Sequence, residues 1–403
     1  MAFPADGRGT AYMREIHVDL LERSPLMRRI LGLFILLVCT HFVAPSAASA
    51  ATITMVPYTS FGGGDGWLAP GEGGTAYLGT GNNERGLAYG NGHVYLVSHA
   101  NVSSTTANVR ILDQTTGADL GGLNNTGITG GTFTVNAAAV GSDGAIYVGN
   151  LTTQSTTSPF KVYRWATEGS APTVAYSGDA GLPGSRVGDD FAGIGSSRLA
   201  AGYSSTPAVT GNNGYTIIDP TTSTATAVGF TGTPPNAGDF RLGLTFADST
   251  HVLGTAGSSL YRYTSFSGSS GTLISSPAIP DPSGATADRL LSYTVLGGQA
   301  LLAVQSVGDS HVSIYDATDP SAPIWLASGD NAVAPVANGN ASGQLAWGAI
   351  TDYGNGIVSQ VLYAMSTNQG IQAFVITVPE PGTLTLVSLL IGLGLLGPLR
   401  RRF

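Results

Sequence analysis

Residues 91–98 read NGHVYLVS, and the same short phrase, a turn followed by an apolar strand, returns as DGAIYVGN (143–150), SSRLAAGY (196–203), STHVLGTA (249–256), GQALLAVQ (298–305) and SQVLYAMS (359–366). Aligned on Val94, Ile146, Leu199, Val252, Leu301 and Leu362, the copies step by 52, 53, 53, 49 and 61 residues. An apolar strand precedes each turn: RGLAYG at Arg85, VNAAAVG at Val135, DFAGIG at Asp190, LGLTFAD at Leu242, LLSYTVLG at Leu290 and LAWGAITDYG at Leu345. A third strand follows, as in NVRILDQTTG at Asn108, FKVYRWAT at Phe160 and GYTIIDPTTS at Gly214, and several copies close it with an aspartate before a turn, at Asp113, Asp219 and Asp316. Gly and Asn or Asp at the tips supply the positive φ that tight hairpins need. Meanders repeating at this period predict a β-propeller, and a sandwich would lack the long super-period. The expected fold is therefore all-β, with six four-stranded blades, or seven as the alternative. The last copy lacks a fourth strand, and Ala51–Tyr58 is expected to supply it from the other end, removing two sheet edges. Asp65 to Glu84 then reads as a Gly-rich connector into the first blade.

Composition agrees. The chain holds 57 Gly and 21 Pro among 403 residues, with many Ser, Thr and Val and few strong helix formers. Recurrent aromatic and branched residues argue against disorder. Between Ala51 and Val378 there are 20 acidic and 9 basic residues, a net charge of −11 with His neutral, and Lys161 is the only lysine. That balance excludes nucleic acid and anionic membrane surfaces as broad partners, because both require clustered cations.

The two ends of the chain speak of export. From Met27 the sequence reads MRRILGLFILLVCTHFVAPSAASA: a basic start at Arg28 and Arg29, an apolar run, and a small-residue cleavage site at Ala48-Ser49-Ala50. These are the parts of a secretory signal peptide in order, a substrate for signal peptidase. Residues 1–26 precede it as a possible mis-called extension, with Met13 or Met27 as the true start; a long basic leader is the alternative. Cys39, the single cysteine, lies in the apolar run behind Val38 rather than the small residue a lipid-attachment site wants. After cleavage the domain has no cysteine, hence neither disulfide nor thiolate chemistry.

The final stretch, Pro379-Glu380-Pro381 followed by the uncharged run Gly382–Leu399 and the cluster Arg400, Arg401 and Arg402, resembles the PEP-CTERM sorting signal of Gram-negative bacteria. Eighteen residues as a helix span roughly 27 Å, enough for a thin bilayer core, and the arginines hold the far end on the cytoplasmic side. The resemblance implies recognition of Pro379, Glu380 and Pro381 by an exosortase, Arg400–Arg402 as the stop, transient membrane anchoring through the helix at 379–403, and delivery of a 51–378 propeller domain to the cell surface or an exopolysaccharide matrix. A plain single-pass anchor is the simpler alternative. The stretch from Glu84 to Tyr176 also resembles uncharacterised secreted bacterial propeller proteins, which implies fold and no activity.

Possible chemistry in the body is limited. Glu84, Asn136, Asp190 and Asp239 stand at or before the innermost strands of four successive copies. They resemble the Glu, Asn and Asp set with which gluconolactonase-type propellers hold a divalent cation, so Ca²⁺ or Mg²⁺ is the alternative to no cofactor. Equally, polar residues line solvated propeller channels. Arg85, Arg164, Arg241, Arg262 and Arg289 are spread over several copies and suit a glycan or uronate cleft with Trp165 or Tyr261 as stacking surfaces; packing between blades is the competing role for those aromatics. His93, His99, His251 and His311 show no metal or triad spacing and read as surface or turn residues. The function these features favour is an exported structural or binding propeller, with a metal-dependent hydrolase or lyase of a sugar or lactone as the alternative.

Overall fold

The computed structural model describes residues 53–99, 108–204, 213–230, 238–255, 260–279, 282 and 288–379. The second strand of each repeat decides the packing, because apolar residues follow one another through its middle instead of alternating with polar ones. In His93–Ser98, Val94 and Leu96 point to one side and Tyr95 and Val97 to the other. A strand buried on both faces must lie between two neighbouring sheets. Six sheets accordingly stand around one axis, with innermost strands Glu84–Gly90, Phe133–Val140, Arg186–Ile194, Leu244–Asp248, Asp288–Leu296 and Gly343–Asp352. We number the blades 1 to 6 in that order.

Six apolar clusters hold the ring, one between each pair of neighbours. The sixth joins Tyr363, Met365 and Ile371 of blade 6 to Leu87, Val94 and Leu96 of blade 1, so the ring closes at six blades and not seven. The six aligned positions from Val94 to Leu362 all lie in second strands and are at most 2 % exposed. Trp165 and Tyr163 pack between blades 1 and 2, and Tyr261 between blades 4 and 5, all three essentially without exposure. They are packing residues and offer no stacking surface to a glycan.

Closure follows the expected route. Thr54–Pro57 forms the outer strand of blade 6, with Thr54 opposite Thr377 and Pro57 opposite Phe374. The connector that follows is more ordered than a crossing loop: Trp67–Leu68 pairs with Gln372 and Ile371, and Trp67 Nε1 donates to the Gln369 carbonyl at 2.8 Å. Blade 4 gains a fifth strand, Gly229–Phe230, parallel to Ser270–Ser275. The tips behave as their residues require, with Asn91 at φ 54° and Gly92 at φ 79° between the paired residues Gly90 and His93. Asp113 and Asp219 accept bonds from the two or three residues after them, which holds both carboxyls below their ordinary range.

Among the described residues no helix is long and apolar enough to cross a membrane. The signal segment 27–50 with Ala48 and Ala50, and Glu380, Pro381, Arg400, Arg401 and Arg402 with the apolar run between them, lie outside the described residues. Pro379 does not: it ends the last strand, Ile371–Pro379, opposite Ile357. The folded propeller thus includes the first residue of the Pro-Glu-Pro triplet.

Candidate functional site at the channel mouth

The six innermost strands wall an axial channel with a cavity of about 370 Å³. Its two ends differ. Where the strands end it is lined by Tyr89, Val140, Ile194, Phe246, Val295 and Trp347. Where they begin, the strands are irregular and carry charge.

The irregularities recur at one level of the ring. Glu84 faces Ser98 and Gly86 faces Val97, so Arg85 is an extra residue in its strand. Residues 134–136 stand against Asn150 alone, residues 188–190 against Gly202 alone, and Arg289 is the extra residue of blade 5. Such bulges bend a strand and re-aim its side chains. Here they present Arg85, Asn136, Asp189, Asp190 and Arg289 around the axis. Tight contacts between blades fix the level: a Cβ on Gly86 would meet Ala137 Cα at 2.7 Å, and one on Gly243 would meet the Arg289 carbonyl oxygen at 1.7 Å.

Asp189 is the centre of the charged group and only 6 % exposed. Arg186 grips it with Nε and Nη2, both at 2.5 Å, and Arg241 Nε stands 3.6 Å from the same carboxylate. Arg85 reaches in from blade 1, donates Nη1 to Ser342 Oγ at 2.8 Å, and lies over the Phe133 ring at 5.3 Å. Burial lowers its pKa, offset by Asp189 and Glu84 and reinforced by Arg186. Against Phe133 stacks His99, ring centroids 4.1 Å apart, whose Nε2 donates to the Val135 carbonyl at 2.6 Å. Burial pushes this histidine down to about 4, so it is neutral at neutral pH; it stands half-buried just past the end of its strand.

Just inside lies a layer of side chains that bridge the blades across the channel wall. An innermost strand has one edge without a partner strand, and its N–H and C=O groups must be satisfied otherwise. Gln344 of blade 6 does this for three blades: Oε1 accepts from Leu87 N (3.0 Å) and Ala138 N (2.8 Å), and Nε2 donates to the carbonyls of Ala138 (3.2 Å) and Phe191 (2.7 Å). Asp190 of blade 3 accepts from its neighbour Phe191 N and from Leu244 N of blade 4 at 2.6 Å. Burial drives its carboxyl up to about 7 despite these bonds. Asn136 of blade 2 donates Nδ2 to the carbonyls of Gly188 (2.7 Å) and Asp189 (3.2 Å) in blade 3.

The four residues expected around a cation are each engaged with partners of their own. Glu84 accepts from the backbone N–H groups of Gly79 and Asn368, and burial raises its pKa. Asn136 and Asp190 bridge blades, and Asp239, 1 % exposed, is held by Arg262 Nε at 2.9 Å. Among the described residues no group of three or more His, Cys, Asp or Glu is arranged to hold a metal ion. Of the arginines named from sequence, Arg241 reaches Asp189, Arg85 and Arg289 are the extra residues of their bulges at this end, Arg262 holds Asp239, and Arg164 belongs to an outer pair with Asp143. Arg186, Asp189 and Gln344 escape a sequence reading. Their one signal is Arg186-Val-Gly-Asp189-Asp190, charges and a glycine at the start of an otherwise apolar strand.

A closed ring of six blades, each built on a four-stranded meander, defines the class. Within it the chain belongs to the DUF4623 family, a domain of unknown function whose model matches residues 72–315. No curated protein matches the chain. Similar solved structures include the major allergen Mala s 1 of Malassezia sympodialis (10 % identity, 74 % of this chain and 92 % of that one, TM-score 0.45). A protein of unknown function from Dyadobacter fermentans (11 %, 74 % and 95 %, 0.40) and the periplasmic gluconolactonase of Pseudomonas aeruginosa (13 %, 73 % and 85 %, 0.39) are also similar. At these scores the likenesses say nothing of activity.

Proposed function

We propose that the protein is an exported propeller with a binding role at the cell surface or in an exopolysaccharide matrix, and that residues 379–403 are an exosortase-processed sorting signal. The observation that carries the binding role is the gathering of Arg85, Arg186 and Arg241, from three different blades, around one carboxylate at the mouth of a rigid channel. In a domain with nine basic residues and a net charge of −11, this gathering brings three of the nine cations to one end of the channel. Backbone bulges and side-chain bridges hold the groups in place, so little ordering cost attends binding.

Two measurements test the proposal. The full-length protein is expected to co-sediment with an acidic exopolysaccharide and to leave a neutral glucan in solution; capture of neither sinks the binding role. In the producing cell, replacing Glu380 with Ala, or Arg400–Arg402 with Ser, is expected to hold the protein in the membrane fraction at its unprocessed mass, and normal release of both variants removes the sorting signal.

The alternative, a hydrolase or lyase using Ca²⁺ or Mg²⁺, requires Glu84 and Asp239 to release the donors they now hold. Stoichiometric metal in the purified protein, lost in Asp239→Asn, would favour it.

A further inference from the structure

We infer that the channel mouth is a binding site for the carboxylate of a sugar acid, with Arg85, Arg186 and Arg241 as the cationic receptors and Asn136 as the acceptor for a neighbouring hydroxyl. Such a site presupposes the binding role proposed for the propeller and names its ligand class.

Three features carry it. First, the charges do not balance. Arg186 and Arg241 share the single carboxylate of Asp189, and Arg85, whose contacts are Ser342 and the Phe133 ring, has no carboxylate in ion-pair reach among the described residues. Second, the hydrogen bonds do not balance. Arg85 is 9 % exposed and its Nε has no partner; Arg241 Nε, 3.6 Å from Asp189, lies beyond hydrogen-bond reach and is also unpartnered. Asn136, 1 % exposed, spends its amide nitrogen on two carbonyls and leaves Oδ1 without a donor. Buried polar atoms are rarely left so, and two unpaired donors and one unpaired acceptor at the same end of the ring match a ligand bearing a carboxylate next to a hydroxyl. Third, the group is reachable: the side chains of Arg186 and Arg241 are 32 % and 28 % exposed, and planar guanidiniums match the planar carboxylate.

The test is calorimetric titration of the full-length protein, in neutral detergent, with sodium D-glucuronate, methyl glucoside and inorganic phosphate in turn. Saturable binding of glucuronate with one site per chain, no heat from methyl glucoside and weaker binding of phosphate is the expected result. Arg241→Gln is expected to weaken glucuronate about tenfold or more, the loss of one charge-assisted bond. Asp189→Asn, which removes the resident competitor, is expected to strengthen it. The opposite signs of these two variants guard against a fold defect, and Arg110→Gln, which breaks an exposed outer pair with Asp119, is expected to leave binding unchanged. Phosphate binding as tight as glucuronate would overturn the sugar-acid assignment. Absent glucuronate binding with retained capture of acidic polymer would overturn this site alone; loss of polymer capture as well, in a protein that still melts cooperatively, would remove the binding role with it.

Discussion

The two ends of one channel show what a repeat does and does not determine. Where the innermost strands end, the channel lining stays uncharged and largely apolar, as at Tyr89, Val140, Phe246 and Trp347, although blades 4 and 6 carry bulges just after Phe246 and Trp347. Where they begin, the copies diverge. Blade 1 inserts an arginine, blade 2 an asparagine, blade 3 two aspartates, and blade 6 sends a glutamine across the axis. Both ends share one set of blade interfaces, so the divergence is not needed to build the ring. It is local backbone irregularity fixed by side-chain hydrogen bonds, the form in which functional sites are commonly placed on a symmetric scaffold.

The sharpest way to break this contrast is Gly243→Ala. A methyl group facing the Arg289 carbonyl at 1.7 Å must push blades 4 and 5 apart at the mouth, and we expect a loss of about 3 kcal/mol or more, read from the urea midpoint. A variant as stable as the parent would mean the mouth is not held by these contacts. Gln344→Ala follows at about 2 kcal/mol or more, since it strips partners from backbone groups on three blades, each costly to leave unpaired. If water replaces the amide, the loss shrinks and the channel should open to solvent, visible as faster hydrogen exchange at Leu87 and Ala138.

The pH dependence sharpens the comparison by sign. Asp190 has its folded pKa raised from 3.8 to about 7, so its contribution is fully present below pH 3.8 and is lost as pH rises through 7. His99 is lowered from 6.5 to about 4, so its contribution is present above pH 6.5 and is lost as pH falls through 4. The two oppose each other between pH 4 and 6.5. Asp190→Asn should make melting temperature rise with pH across that window more steeply than in the parent, and His99→Gln should make it fall. Identical profiles in both variants would refute the buried placement of these groups. The smallest effect belongs to the other end: Val295→Ala and Ile350→Ala, at positions 55 % and 57 % exposed, should each cost under about 0.5 kcal/mol.

Much of the ring is legible in the chain because blade packing writes itself into hydrophobic pattern. Val94 and its five counterparts are spaced by the period of the fold, and ATITMVPY had no role except to complete the last sheet. The site is less legible. A bulge shifts the side-chain alternation by one residue, but this one falls at the start of its strand where no pattern precedes it, so Arg85 reads as an ordinary first residue. The part Gln344 plays depends on atoms in three other blades, at Leu87, Ala138 and Phe191, which no local pattern contains. Histidine spacing likewise carries no information about the contact of His99 with Phe133.

The pairing of Thr54 with Thr377 also sets an order in time. A chain is made from its N-terminus, so the strand that seals the ring exists first and waits for the partner that is made last. Until then blade 6 is incomplete and Thr54–Pro57 has an open edge to offer to other chains. Joining ends so distant in sequence adds little to the thermodynamic cost of closure but slows it. A chain cut short anywhere before Ile371 can build blades and cannot seal the ring, so truncation is exposed as an unpaired edge that proteases and chaperones can find.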